Sequence, residues 1–226
     1  MTDPKIVALI PAYNESAHIA AVVTTAARYL PVLVVDDGSK DETASLAEAA
    51  GASVLRQVPN QGKGAALANG FRRCLVEGCQ AAVMLDGDGQ HDPDEIPKFL
   101  ACYASQPVGL VIGQRDFSRM PFPRSLSNPI GRWLFSWAVG QHVPDNQSGY
   151  RLLGRRLMAA TLDSRETGFE FEVEMIAVCL RNGWTLGWVP ISTIYAGEPS
   201  HVRPLAHLRH FVRATREARR LMREGR

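Results

Sequence analysis

Residues 81–91 read AAVMLDGDGQH, an apolar run that ends on two acidic residues separated by one glycine. The apolar run shows no alternation, so it predicts a strand buried on both faces, as in a parallel sheet. Placing Asp86 and Asp88 together at a strand end is electrostatically costly unless a cation offsets their repulsion. Such oxygen ligands suit Mg²⁺ or Mn²⁺, although the same pattern alone also occurs in simple surface turns. Gln90 and His91 follow closely enough to complete or orient such a site.

Outward from this stretch, the first half of the chain alternates short apolar strands with helical segments. Strands are predicted at 5–10, 32–35, 53–57, 81–85 and 108–112, and helices at 16–29, 41–50, 63–76 and 94–104. This alternation predicts an α/β fold with a mainly parallel central sheet flanked by helices. Ligands bind such sheets at the carboxyl ends of the strands. Four polar loops follow predicted strands there, at 11–15, 36–39, 60–64 and 86–91.

The rest of the chain is less regular. Helices are predicted at 125–139, 169–181 and 204–223, a strand at 185–189, and a loop running into a strand at 145–153. Because no linker or repeat interrupts the chain, we predict one domain over 1–203, with halves of about 1–115 and 116–203. A basic amphipathic helix follows at 204–226.

Charge and cysteine content narrow the protein class. The net charge of the 226 residues is +2, but the last 26 contain eight Arg and two acidic residues. Such a tail suggests an anionic partner such as a membrane surface, although a solvated helix, a helix packed on the domain or a homodimer contact stays open. The four cysteines have no metal-ligand spacing, which favours buried reduced thiols. Without a signal peptide or membrane span in the sequence, we expect a cytoplasmic protein that is at most peripheral on the membrane.

Three further features carry chemistry that remains ambiguous from the residues alone. Asp37, after the second strand, suits a base or ribose contact, and its loop also reads as a capped turn. Lys63 lies between glycines at a helix start, a place that favours an anion. Arg115 and Arg124 suit bidentate phosphate contacts, or are ordinary surface arginines.

Together, the loops resemble the motifs of the family 2 glycosyltransferases. The matching stretches are IPAYNE at 10–15, VVDDGS at 34–39, NQGKGAA at 60–66 and DGDGQH at 86–91. Within that family, the sequence is most similar to dolichyl- or polyprenyl-phosphate sugar synthases. The resemblance implies the GT-A fold, a nucleotide-diphospho-sugar donor, Mg²⁺ or Mn²⁺, inversion at the anomeric carbon, a lipid phosphate acceptor and no nucleic-acid partner. The half 1–115 would bind the nucleotide sugar, and 116–203 the acceptor.

The resemblance also implies roles for individual residues. Donor binding falls to Pro11, Tyr13, Glu15, Asp37, Lys63 and Asp86. The metal ligands are Asp86, Asp88 and Gln90. On the acceptor side, the catalytic candidates are Arg115, Arg124 and Asp145. His201 and Arg203, just before the last helix, would reach the donor diphosphate when that segment closes.

Two departures from the family pattern shape the expected reaction. Many lipid-phosphate synthases have C-terminal transmembrane helices, which this sequence lacks. The Gln-x-x-Arg-Trp motif of processive relatives is also missing, because Pro129 occupies the Gln position before Arg132 and Trp133. We therefore expect one sugar per acceptor.

Alternative functions remain open at this point. A phosphate acceptor is already ionised, whereas a hydroxyl of a lipid or small acceptor would need a general base, for which Asp145 is the candidate. A non-catalytic membrane-docking or partner subunit that retains the fold is the alternative from another class. A nucleotidyltransferase is disfavoured because PAYNE at 11–15 replaces a glycine-rich phosphate loop. A phosphatase is disfavoured because neither Thr nor Val follows Asp86.

Overall fold

The computed structural model describes residues 4–106, 108–116, 124–164, 166, 168, 170–192 and 204–224. The strands are β1 Ile6–Ala12, β2 Val32–Asp36, β3 Ser53–Arg56, β4 Ala81–Met84, β5 Val108–Arg115, β6 Arg151–Gly154 and β7 Thr185–Ile191. The helices are α1 Ile19–Ala26, α2 Thr43–Ala49, α3 Lys63–Val76, α4 Ile96–Ser105, α5 Arg124–Val139, α6 Arg155–Ala160, α7 Glu170–Arg181 and α8 Pro204–Glu224. Single 3₁₀ turns lie at Pro93–Glu95 and Thr161–Asp163.

The seven strands form one sheet in the order β3-β2-β1-β4-β6-β5-β7. All neighbours pair in parallel except β6, which runs antiparallel to both β4 and β5. The predicted α/β fold with a mainly parallel sheet is confirmed. The antiparallel strand has a consequence for the site, because its first residue, Arg151, pairs with Met84, the last residue of β4. The loop before β6 therefore lies at the edge where the parallel strands end.

The sheet is buried on both faces, as the unbroken apolar runs predict. Leu9 packs with α3 and α7 on one face, together with Phe71 and Phe171. Its neighbour Ile10 points to the other face, toward Ile19 of α1 and a second core cluster. Successive strand residues alternate between faces, so a strand between two helical layers must be apolar at every position. All four residues of β4 are accordingly buried.

Most predicted boundaries lie within a few residues of the observed ones, and α3 matches at both ends. Strand β5 extends to Arg115, beyond the predicted end at Ile112, because it pairs with β7 as far as Ile191. Helix α1 begins at Ile19 rather than at residue 16. The amides of Glu15 and Ser16 donate instead to the side chains of Thr43 and Asp41, near the start of α2. Helix α6 was not predicted, because six residues are too few to establish a helical period.

The C-terminal helix α8 packs against α7 and α5. Ala218 is buried, and Leu221 and Met222 pack against the main core. The described part of this helix thus covers its apolar face with the body of the protein. Within the ranges given above, no helix has both the length and the apolar character needed to cross a bilayer.

Candidate active site

The candidate site lies along the carboxyl edge of the sheet. Ala12 at the end of β1 pairs with Asp36 at the end of β2, and the Asp37 amide donates to the Ala12 carbonyl at 2.8 Å. Strand β4 ends beside them and leads into Asp86. The topology therefore brings three of the polar loops together, and the antiparallel β6 adds the loop 145–150.

A partly buried ion cluster occupies the middle of this edge. Lys63 Nζ, at the start of α3, lies 2.5 Å from Asp86 Oδ1 and 2.9 Å from Glu172 Oε1. Burial would lower the pKa of Lys63, but the charges of Asp86 and Glu172 raise it above its ordinary value. Lys63 is therefore a cation, and its charge outweighs the effect of burial to lower the pKa of Asp86.

Glu172 was not assigned a site role from the sequence. It occupies the first turn of α7, where a carboxylate is favourable for the helix dipole, and that local explanation is sufficient by itself. Its side chain is nevertheless only 5% exposed, in a stretch whose neighbours are core residues. The signal available in the sequence was a glutamate between two apolar residues, Phe171 and Val173. A carboxylate buried in such a stretch needs a partner.

Asp88 provides the test of whether a divalent cation fits. Its pKa is raised by burial and then by the negative charge of Asp86, so negative charge is under-compensated here. Among the described residues, no three carboxylate, imidazole or thiol groups converge to hold a metal unaided. Mg²⁺ usually binds through one or two carboxylates and takes its remaining ligands from substrate phosphates and water. The residues present fit a cation of that kind.

His91 orients the acidic loop. The Asp86 amide donates to His91 Nδ1 at 3.1 Å, and burial lowers the pKa of the ring, which is therefore neutral with its proton on Nε2. The Gln90 amide donates to Asp88 Oδ1 at 2.9 Å, while the Gln90 residue as a whole is exposed. The main chain thus fixes the Asp88 carboxylate, and the described contact of Gln90 is made by its backbone.

Asp37 braces the loop that leads into α3. Its two carboxylate oxygens accept the amides of Gln61 and Gly62, each at 2.8 Å, and Oδ1 also accepts from the Gln57 side chain. Asp37 is buried, whereas the loop it holds is largely exposed. These contacts position the glycine-flanked start of α3, which carries Lys63.

The loop after β1 is tied to the loop after β2. The Asn14 amide donates to Ser39 Oγ at 2.9 Å, and Asn14 adopts a left-handed conformation with φ of 57°. The Glu15 amide donates to Thr43 Oγ1 at 2.8 Å. Pro11 is buried at the end of β1, and Tyr13 is exposed beside these loops. The two loops are thus joined into one rim with one exposed aromatic ring, that of Tyr13.

Asp145 and Arg115 form a bidentate ion pair. Arg115 Nε and Nη2 donate to Asp145 Oδ2 and Oδ1 at 2.8 and 2.9 Å. Asp145 Oδ1 also accepts the amides of Gln147 and Ser148. The side chain of Asp145 is 1% exposed and that of Arg115 20%. The carboxylate proposed as a base is therefore already engaged with a cation and with its own loop.

Arg151 completes the support of this loop. Its buried guanidinium donates to the carbonyls of Ser148 at 2.7 Å and Asn146 at 3.2 Å, and also to the Glu172 carbonyl. The loop of Asp145 is thus fixed to the start of α7, whose Glu172 holds Lys63. A Cβ added at Gly149 would lie 3.0 Å from an Asp86 oxygen, so only glycine fits here without displacing the cluster.

Three predicted site residues are not positioned by the described structure. Arg124 begins α5, and its side chain lies outside the described residues. His201 and Arg203 also lie outside them.

The strand order and the acidic loop after β4 agree with the GT-A fold, which structural neighbours share. Residues 7–157 match the domain described as Glycosyl transferase family 2, and the chain belongs to that family. The family resemblance predicted from the four loops is confirmed.

Relatives across most of the chain have named activities. The chain is 32% identical to an undecaprenyl-phosphate mannosyltransferase of Micrococcus luteus, over 84% of each chain. It is 29% identical to the UDP-N-acetylglucosamine–dolichyl-phosphate N-acetylglucosaminyltransferase of Methanococcus voltae, over 86% of this chain and 88% of the relative. Both names describe sugar transfer to a polyprenyl-type phosphate.

A solved structure shares the fold. Glucosyl-3-phosphoglycerate synthase from Mycobacterium tuberculosis, in complex with Mn²⁺, uridine diphosphate and glucosyl-3-phosphoglycerate, superimposes with a TM-score of 0.72 at 22% identity. The match covers 96% of this chain and 80% of the other. At this identity, the likeness supports the GT-A architecture alone.

Proposed function

We propose that this protein is an inverting, metal-dependent, non-processive glycosyltransferase. It moves one sugar from a nucleotide-diphospho-sugar to a polyprenyl or dolichyl phosphate. The observation that carries the proposal is the pair Asp86 and Asp88 at the end of β4, at the edge where β1 and β2 also end. The family membership and the lipid-phosphate acceptors in the relatives' names support the choice of substrates.

Each group at the edge has a task in this reaction. The nucleoside would lie against the rim around Tyr13, and Asp86 and Asp88 would hold the Mg²⁺ or Mn²⁺. When bound, the metal supplies Lewis-acid stabilisation of the charge that develops on the leaving diphosphate. Lys63, held by Asp86 and Glu172, keeps a fixed positive charge beside the same position.

The acceptor side favours an acceptor that needs no general base. Asp145, the candidate base, is held by Arg115 and by two amides, so removing a proton from a hydroxyl would require it to leave a buried ion pair. A phosphate monoester is already ionised, so catalysis requires mainly that it be positioned. In model reactions, good orientation of the reacting groups lowers the activation barrier by ~7–11 kcal/mol. Arg115, together with Arg124, is the proposed positioning cation.

The donor half of the proposal is tested by calorimetric titration. GDP-mannose, UDP-glucose and UDP-N-acetylglucosamine are titrated with and without Mn²⁺ into wild type, Asp88→Ala and the matched surface variant Asp163→Ala. We expect one donor to bind only with metal, and binding to be lost in Asp88→Ala alone. Donor binding that ignores both metal and Asp88 would contradict the metal site.

The acceptor half is tested by transfer of labelled sugar to polyprenyl phosphate and to the corresponding polyprenol. Transfer to the phosphate alone is expected, with one sugar per acceptor. Transfer to polyprenol would establish the hydroxyl alternative, and absence of donor binding and transfer would favour a non-catalytic subunit.

A further inference from the structure

In the described part of α8, the apolar side chains that pack on the body of the protein are not free to enter a membrane. Ala218 is 1% exposed, and Leu221 and Met222 pack against the main core. If this part of the basic helix meets a bilayer, it does so through its arginines.

Helix α5 supplies exposed aromatic side chains next to it. Trp133 and Trp137 are 67% and 56% exposed. They are four residues apart and therefore share one face of the helix. Indole rings are strongly favoured in contacts and are enriched at the level of lipid headgroups, where one edge is apolar and the other polar. Two adjacent, solvent-facing indoles therefore indicate a contact surface.

The arginines of α8 adjoin these rings. Arg216, Arg219, Arg220 and Arg223 line one surface depression. The Arg219 guanidinium carbon lies 3.6 Å from the centroid of the Trp137 ring, so the basic and aromatic surfaces are continuous. On this part of α8, Glu217 contacts Arg220 at 3.7 Å and offsets one charge. Residues 117–144, which contain α5, include no acidic residue. The surface is therefore complementary to an anionic layer.

We propose that Trp133 and Trp137 of α5, together with Arg216, Arg219, Arg220 and Arg223 of α8, form one docking surface for an anionic phospholipid bilayer. The indoles lie at the headgroup level, and the guanidinium groups contact lipid phosphates. The proposal rests on the proposed function for its purpose, since a polyprenyl phosphate acceptor is held in a membrane.

The same helix supports the acceptor side of the site. Ser136 Oγ accepts the Val143 amide at 3.0 Å, and Arg132 donates to the Pro144 carbonyl at 3.2 Å. Both contacts fix the segment that leads directly into Asp145. Docking through α5 therefore brings the membrane surface next to the helix that supports the loop of Asp145.

Vesicle binding of the full-length chain tests the surface, with no donor or acceptor present. The vesicles are phosphatidylcholine with and without phosphatidylglycerol. One variant combines Trp133→Ser with Trp137→Ser, and another combines Arg216→Gln, Arg220→Gln and Arg223→Gln. Matched controls are Val76→Ser, which removes an exposed apolar side chain of α3, and the pair Arg28→Gln with Arg72→Gln. Thermal unfolding verifies that each variant is folded.

Wild type is expected to bind the anionic vesicles, more weakly as salt is raised, with a blue shift of tryptophan emission. Loss of three arginines is expected to weaken binding about a hundredfold, since each basic residue near an anionic surface contributes about a factor of five. Loss of both indoles should weaken binding about tenfold or more, because the apolar area that the rings bury in the bilayer no longer contributes to the binding free energy. The controls should bind as wild type does.

Several results would overturn the docking surface. These are absence of binding to anionic vesicles, equal binding by the variants and wild type, and a wild-type dimer that the Trp variant dissociates. The last result would assign the surface to a second copy of the chain.

A separate measurement distinguishes this proposal from the proposed function. Transfer to a detergent-dispersed short-chain polyprenyl phosphate should be unchanged in both surface variants. Failure of the wild type to bind anionic vesicles, with normal transfer, would overturn only the docking surface, whereas vesicle binding without any transfer would overturn only the transferase proposal.

Discussion

The charged side chains of the site are each held by contacts from more than one residue. Lys63 is held between two carboxylates, and Asp145 is held by Arg115 and two main-chain amides. Arg151 is held by three carbonyls instead of an acidic side chain. Burying a charge is costly unless it is paired or hydrogen-bonded, so these contacts are needed for folding as well as for the chemistry.

Replacing Asp145 by Ala should strongly destabilise the protein. Arg115 would lose its bidentate contact with Asp145, and the amides of Gln147 and Ser148 would lose their acceptor, which typically costs about 3–5 kcal/mol for a buried pair. The free energy of unfolding in urea measures this loss. The matched control is Glu48→Ala, which removes an equally bidentate but exposed pair with Arg56 at 2.7 and 2.9 Å. That pair is screened by solvent, so little change is expected, and equal losses in both variants would contradict the interpretation.

At the scale of elements, α3 connects the sheet to the site. Its first residue is Lys63, and further along Gly70 packs directly on β1. A Cβ added at Gly70 would lie 2.5 Å from Leu9 Cδ1 and 2.9 Å from Leu9 Cδ2. The helix can approach the sheet this closely only without a side chain at that position, and this approach fixes the position of Lys63.

Gly70→Ala therefore sets two effects against each other. Alanine is better than glycine in a helix by about 1 kcal/mol. Overpacking a core typically costs about 1–3 kcal/mol, and here it should prevail because Leu9 is fully buried. We expect a lower free energy of unfolding in urea.

The same change made in a Leu9→Ala background should be neutral or stabilising, since the clash is removed there. A stabilised single variant would show that helix propensity dominates at this position.

At the scale of the whole molecule, the two predicted halves share one sheet. Strand β6, from the second half, lies between β4 and β5 of the first half, and β7 pairs with β5. The halves therefore cannot separate without breaking the hydrogen bonds between these strands, and we expect them to unfold together.

Buried thiols in both halves test this cooperativity. Cys74 lies in α3 and Cys179 in α7, both buried, and burial raises the pKa of each to about 12. Both should react with iodoacetamide only on unfolding, because the thiolate is the reactive form. As urea is increased, peptide mapping should show both labelled over the same range, with the partly buried Cys102 labelled first. Labelling of Cys74 and Cys179 in separate transitions would indicate independently unfolding halves.

The sequence by itself determined the α/β alternation, most helix boundaries, the polar loops at strand ends and the family. These features depend on local signals, namely apolar periodicity, turn residues and short motifs, which are read within a few residues of one another. The acidic loop 86–91 could be placed at a sheet edge for the same reason.

Only the tertiary structure decided how distant segments combine. The antiparallel direction of β6 brings the loop of Asp145 to the site, and the packing of α7 on α3 pairs Glu172 with Lys63. The packing of α8 covers Ala218, Leu221 and Met222 and leaves Trp133 and Trp137 exposed on α5. Strand order and helix packing depend on contacts between residues far apart in the chain, and the pattern of each segment is compatible with several such arrangements.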